Sequence, residues 1–154
     1  MKKFSVLIPT VLSLLIATSA FSQEHFTEGS ISRVVLVHIN PGHATDFWRD
    51  VRQNLKPIFE EYKKQGVITD YRFFTKSTTE KSDDWNVGYT LTYKNYAALD
   101  DMATRTDPIS LKVYGSREAR TAAQMKRAEH TTLVSSFLMR TVDPRPMSPA
   151  TPQP

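Results

Sequence analysis

The sequence has no cysteine in its 154 residues. That excludes disulfides, a thiolate metal site, a cysteine nucleophile and a lipidated N-terminal cysteine. Glycine is scarce, at five residues, and none stands in a phosphate-cradling loop. There is no Walker pattern, no G-x-S-x-G elbow and no zinc signature. Ser135 and Ser136 fall in mid-strand without a local elbow, so a hydrolase triad has no support. A surplus of one charge is missing too. Lys and Arg number 20 against 16 Asp and Glu, and the first 22 residues hold Lys2 and Lys3 but no acid. The remainder therefore carries 18 basic and 16 acidic residues, a net +2 without a clustered basic face, which argues against nucleic acid as a partner. What is present, 40% hydrophobic and 23% charged residues, is a globular composition. The length suits one domain.

The start of the chain reads as an address. Lys2 and Lys3 precede an uncharged, mostly apolar run of residues 4–20, followed by small residues at Ala17, Ser19, Ala20 and Ser22. This three-part pattern predicts a secretory signal peptide over 1–22, cleaved after Ser22 or, as the alternative, after Ala20. An uncleaved anchor is the competing reading, and the run is at the short limit for a bilayer. No second apolar run follows, so no membrane association is expected after cleavage. The expected destination is the periplasm or the exterior.

Residues 23–30 are polar and predict a flexible N-terminus. Arg33 to Asn40 is short and β-branched and ends at Pro41-Gly42, which predicts a strand. Over 43–65 the residues Phe47, Trp48, Val51, Leu55, Ile58, Phe59 and Tyr62 recur at helical spacing. Pro57 interrupts that helix without breaking the phase of the stripe, which predicts one bent helix disturbed near Gln53–Pro57 and stopped at Gly66. Residues 67–76 and 85–93 predict a hairpin, the second with clean alternation of Trp85, Val87, Tyr89, Leu91 and Tyr93. A short helix is expected over 96–106. A second helical stretch would start with Asp107 as cap and Pro108 in its first turn, run to about Glu129, and be open to a break at Gly115-Ser116. Residues 131–142 are the fourth strand. Five prolines within 143–154 predict a disordered tail. The order β-α-β-β-α(α)-β suits an α+β, ferredoxin-like sheet with helices on one face. Both alternating sets on the first strand are apolar, so the uncovered face calls for a homodimer. Val35→Asp and Leu36→Asp are the two alternating tests.

Over residues 31–142 the chain resembles the dimeric α/β-barrel superfamily. The resemblance is carried by V-V-L-V-H-I-N-P-G, by L-K-P-I-F-E-E-Y-K-K-Q-G, and by the strands Y-R-F-F and W-N-V-G-Y-T-L-T-Y. The pattern L-D-D-M-A-T-R-T-D-P-I…K-V-Y-G-S-R is similar to exported bacterial proteins without assigned activity. The resemblance implies a barrel formed by two sheets across a two-fold axis. It specifies fold well and function badly, since the superfamily includes cofactor-free oxygenases, haem-degrading enzymes and plain binding proteins.

Candidate site residues follow from residue type. His38, flanked by Val37 and Ile39, would act as a general base if it faced the cleft between sheet and helices; the resemblance also allows a haem ligand there. A hydrogen-bonded strand histidine is the plainer reading. His43 reads as a helix-start residue, and His130 as a rim residue or a helix C-terminal cation. Tyr71 and Trp85 would line a cleft for a flat apolar ligand, or build core and interface. Arg72 opposes its strand neighbours and needs Asp70, an anion or solvent. The stretch 117–129 reads as a solvated helix face. No two histidines have metal-ligand spacing, so neither a metal nor another cofactor is expected. The reading is an exported homodimer that binds a small apolar or aromatic ligand. The alternative is a cofactor-independent oxygenase with His38 as base.

Overall fold

The computed structural model describes residues 26–78 and 81–144. The predicted signal peptide, His25 and residues 145–154 lie outside them. The chain divides into two units. One, Glu28–Val142, carries the fold; the other comprises Met1–Thr27 with Asp143–Pro154, of which only Phe26, Thr27, Asp143 and Pro144 are described.

Strand β1 spans Phe26–Ile39. A continuous helical run follows, made of α1 (Ala44–Asp50), a π-helical segment (Val51–Leu55) and α2 (Lys56–Lys64). Strands β2 (Asp70–Thr75) and β3 (Val87–Tyr93) form the hairpin. A 3-10 turn (Tyr96–Leu99), α3 (Met102–Tyr114), α4 (Arg117–His130) and β4 (Thr131–Pro144) complete the chain. The sheet order is β2-β3-β1-β4. The two strands that each begin a βα unit, β1 and β3, are central, and this split βαβ arrangement is the ferredoxin-like fold.

Register decides which residues share a face. Val35 lies opposite Tyr89 and Val37 opposite Val87, while Phe73 lies opposite Tyr89 and Tyr71 opposite Leu91. Directly opposed side chains point the same way. Val35, Val37, Val87 and Leu91 therefore form one core with Phe47, Val51, Leu55, Ile58, Phe59 and Tyr62 of the helical run. The other sheet face carries Val34, Leu36 and His38 of β1 with Arg72 and Phe74 of β2. Gly88 is required there. A Cβ at this position would stand 2.5 Å from the Phe74 ring and 2.9 Å from Leu36 Cδ2.

The disturbance predicted at Pro57 takes the form of the π segment. Pro57 cannot donate to a carbonyl one α-turn back. The preceding turn widens instead, and the Lys56 N–H bonds to the Val51 carbonyl, five residues earlier. The stripe passes through it intact, with Val51, Leu55, Ile58 and Phe59 all buried. The break at Gly115-Ser116 also occurs, and the Ser116 hydroxyl accepts the Ala119 N–H at 3.1 Å.

Several boundaries differ from expectation. Strand β1 begins at Phe26, so 26–30 are extended strand and not a loose terminus. Strand β4 runs two residues into the proline-rich tail, which an edge strand tolerates because it need not donate on its free side. Trp85 precedes β3. Asp107 is not a cap: Pro108 lies inside α3, which starts at Met102. The Asp107 carboxylate instead accepts from Arg120 at 2.9 Å. No helix among the described residues is long and apolar enough to cross a membrane.

Candidate ligand-binding cleft

Helix α4 does not close tightly on the sheet. Beneath it lies an open cleft of about 250 Å³. Val35 and Val37 form its floor, Phe47 and Leu55 one wall, and Leu133 of β4 the other. Polar groups enter from α4, with Gln124 and Arg127, and from Thr131 and Tyr89. Leu133 remains 62% exposed at the mouth.

Arg127 is the anchor of this region. Its Nε donates to Asp50 Oδ2 at 2.6 Å, and its Nη2 donates to the Tyr114 hydroxyl at 3.1 Å. Asp50 also accepts from Asn54 Nδ2 at 2.7 Å. Burial works against the Arg127 cation, but the bonds to Asp50 and Tyr114 outweigh it and hold its pKa above the ordinary range. Burial also pushes the Tyr89 phenol up, so it stays a neutral hydroxyl at physiological pH. On the other side of Arg127, between α1 and α4, is a more polar cavity of about 160 Å³, with Asp46, Arg49, Lys126 and His130 on its walls.

The residues singled out from the sequence do not converge. His38 alternates with Val37 and Ile39 and so lies on the sheet face away from the helices. Its Nδ1 is 2.6 Å from the Asp84 carbonyl oxygen and donates to it. Arg72 is on the same face, exposed, 3.6 Å from Asp70. Trp85 meets the edge of Phe74 at 5.7 Å between ring centroids, and Lys76 Nζ stands 5.4 Å above its ring. Tyr71 is on the helix side but belongs to an aromatic cluster with Phe59 and Phe73, at 5.6 and 6.0 Å. Its hydroxyl donates to Glu60 at 2.5 Å, and burial together with this bond pushes its pKa up to about 12. His130 ends α4 and stacks on His43, with centroids 4.6 Å apart.

One expectation changes. The stretch 117–129 is not simply a solvated face, because Arg127 and Arg120 are drawn into ion pairs. Nothing in their sequence spacing marks them, since Asp50 is 77 residues from Arg127. Nor does the absence of histidine spacing settle the metal question. The ligand atoms of His43, Asp46 and His130 lie within 4.8 Å of one another, brought together by the fold across 87 residues.

No family model matches the chain, and no curated protein matches it. Solved structures are similar at low identity. HapK from Hahella chejuensis is 7% identical, with a TM-score of 0.47 over 80% of this chain and 99% of that one. An ethyl tert-butyl ether d (EthD) family protein from Bacillus halodurans is 13% identical, with a TM-score of 0.48 over 71% of this chain and 96% of that one. A dimeric ferredoxin-like protein of unknown function from Jannaschia is 20% identical, with a TM-score of 0.42 over 71% and 98%. The chain itself has the ferredoxin-like α+β fold, by its own strand order.

Proposed function

We propose that this protein is an exported homodimer that binds a small apolar or aromatic ligand in the cleft beneath α4. The observation that carries the reading is the lining of that cleft. Val35, Val37, Phe47, Leu55 and Leu133 offer apolar walls, while Gln124, Arg127 and Thr131 offer a few polar groups at one side. An apolar concavity with sparse, converging polar groups is the usual form of a small-molecule site. Its 250 Å³ suits a ligand of one or two rings; an engineered apolar cavity of about 150 Å³ takes benzene. His38 points away from this cleft, so the cleft contains no histidine base.

An anionic naphthalene dye tests the reading. Its fluorescence should rise on binding and saturate. Ala128 is exposed on the cleft wall, so Ala128→Trp should fill the space, abolish the signal and leave the unfolding midpoint nearly unchanged. Dye binding unaffected by Ala128→Trp would place it elsewhere and sink the reading.

Export rests on residues 1–22. N-terminal sequencing of protein made in a Gram-negative host should begin at Gln23. An intact Met1 on soluble cytoplasmic protein would remove the proposal.

Dimerisation rests on apolar surface. The edge strand β4 exposes Leu133, Val134, Phe137, Leu138, Met139 and Val142. An edge strand this long and apolar is a hazard unless covered. A second copy, packed on the face that carries Leu36 and Phe74, covers the alternating set Val134, Leu138 and Val142, while Leu133 faces the cleft beneath α4.

A further inference from the structure

The junction between α4 and β4 holds a cluster that neither the fold nor the cleft accounts for. His43 immediately precedes α1, His130 is the last residue of α4, and Asp46 lies in the first turn of α1. Two backbone-anchored bonds hold these segments in place. The Asn40 N–H donates to the His130 carbonyl at 2.9 Å, and Asn40 Nδ2 donates to the Glu129 carbonyl at 3.0 Å. The two imidazoles stack at 4.6 Å with their planes 17° apart. His43 Nδ1 is enclosed and has no hydrogen-bond partner among the described residues. It stands 3.9 Å from Asp46 Oδ2, while the other carboxylate oxygen accepts from Arg49 at 2.7 Å.

We propose that His43, Asp46 and His130 form a binding site for a divalent transition-metal ion. An enclosed imidazole nitrogen left without a partner is costly unless something accepts its lone pair or proton. The donor set is two imidazoles and one carboxylate, which suits Zn²⁺, Co²⁺, Ni²⁺ or Fe²⁺ and not the all-oxygen preference of Mg²⁺ or Ca²⁺. Donor atoms within 4.8 Å need to draw in by roughly 1 to 1.5 Å to surround an ion at about 2.0–2.2 Å. These half-buried side chains can make that adjustment by rotation. Arg49 plays the outer role, since its bond to Asp46 orients the carboxylate. Electrostatics act in both directions. The C-terminus of α4 favours a cation, whereas Arg49 and Lys126 nearby oppose it. The result is a site for a strongly coordinating ion, not for a cation held by charge alone. Asp46 and His130 also line the 160 Å³ cavity. The remaining coordination positions would therefore face a space able to admit water or a small anionic ligand.

Isothermal titration of the untagged protein with Zn²⁺ tests the site, with Co²⁺ visible absorption as a second readout. The expected result is one ion per chain and a Co²⁺ spectrum of a site with nitrogen and oxygen donors. His43→Ala and His130→Ala should each weaken binding by about ten-fold or more, because each removes a ligand. His38→Ala should leave it unchanged. Circular dichroism and unfolding midpoints of the variants separate loss of a ligand from loss of fold; His130→Gln, which keeps bulk and polarity, should lose binding while folded. Absence of Zn²⁺ binding by the wild type, or binding that survives both histidine substitutions, would overturn the proposal. Neither outcome bears on the ligand cleft, whose test uses a different probe and a different variant.

Discussion

Leu36→Asp is expected to convert a dimer into a folded monomer or an aggregate, while Val35→Asp is expected to unfold the chain. The two residues are neighbours of similar size, but the register puts them on opposite faces. Val35 is 7% exposed and faces the helices with Tyr89 opposite. An aspartate there would be an uncompensated charge in the core, which costs several kcal/mol and is a large share of a domain's roughly 5–15 kcal/mol. Leu36 is only half-buried on the other face, against Gly88 and near Phe74. In a single chain its carboxylate would reach water, so the fold should persist. In a dimer it would sit at the centre of a sheet-to-sheet contact. An obligate interface of that kind buries on the order of 2,000 Å², and it depends on apolar burial, so it should survive high salt. Analytical ultracentrifugation of the wild type at about 50 µM should show a dimer, because dimer mass is set by concentration relative to Kd. A clean wild-type monomer at that concentration would sink the dimer. A Leu36→Asp variant that remains dimeric would move the interface off this face.

Asp50→Ala is expected to destabilise the protein by about 3 kcal/mol, the lower end for breaking a buried pair. The side chains of Arg127 and Asp50 are 22% and 18% exposed, so solvent only partly relieves the charge left behind. Asp50 also accepts from Asn54, and that amide would lose its partner. The cost belongs mainly to stranding Arg127. The double variant Asp50→Ala with Arg127→Met should therefore regain stability relative to Asp50→Ala alone. Urea unfolding of the four proteins gives the coupling. If the double variant is less stable than Asp50→Ala by the full cost of Arg127→Met, the two residues act independently and the pair does not organise the cleft wall.

Much of the fold was legible in the chain itself. The β-branched run at Val34–Ile39, the helical stripe from Phe47 to Tyr62 and the alternation from Val87 to Tyr93 each depend on a period within one element. Such a period is set by backbone geometry, so it survives into the structure. Local chemistry marked the disturbance before Pro57 and the break at Gly115, because a missing N–H or a missing Cβ acts where it stands. Local chemistry misled at Asp107-Pro108, where the tertiary packing of α3 carried the helix past a proline that would start one in isolation.

The candidate sites were of another kind. Both alternating sets of β1 are apolar, so periodicity could not say whether Val35 or Leu36 faced the helices; only pairing with β3 decided it. His38 was placed on the outer face by the same register. Arg127 and Asp50, and His43 and His130, are far apart in sequence and carry no shared spacing. Their meeting depends on where α4 lands on the first helical run and on the Asn40 bonds that lock the two ends together. Residue type and period within an element determined the strands, the helices and their order. The docking of one element on another, which balances burial over the whole chain, decided which of those residues meet.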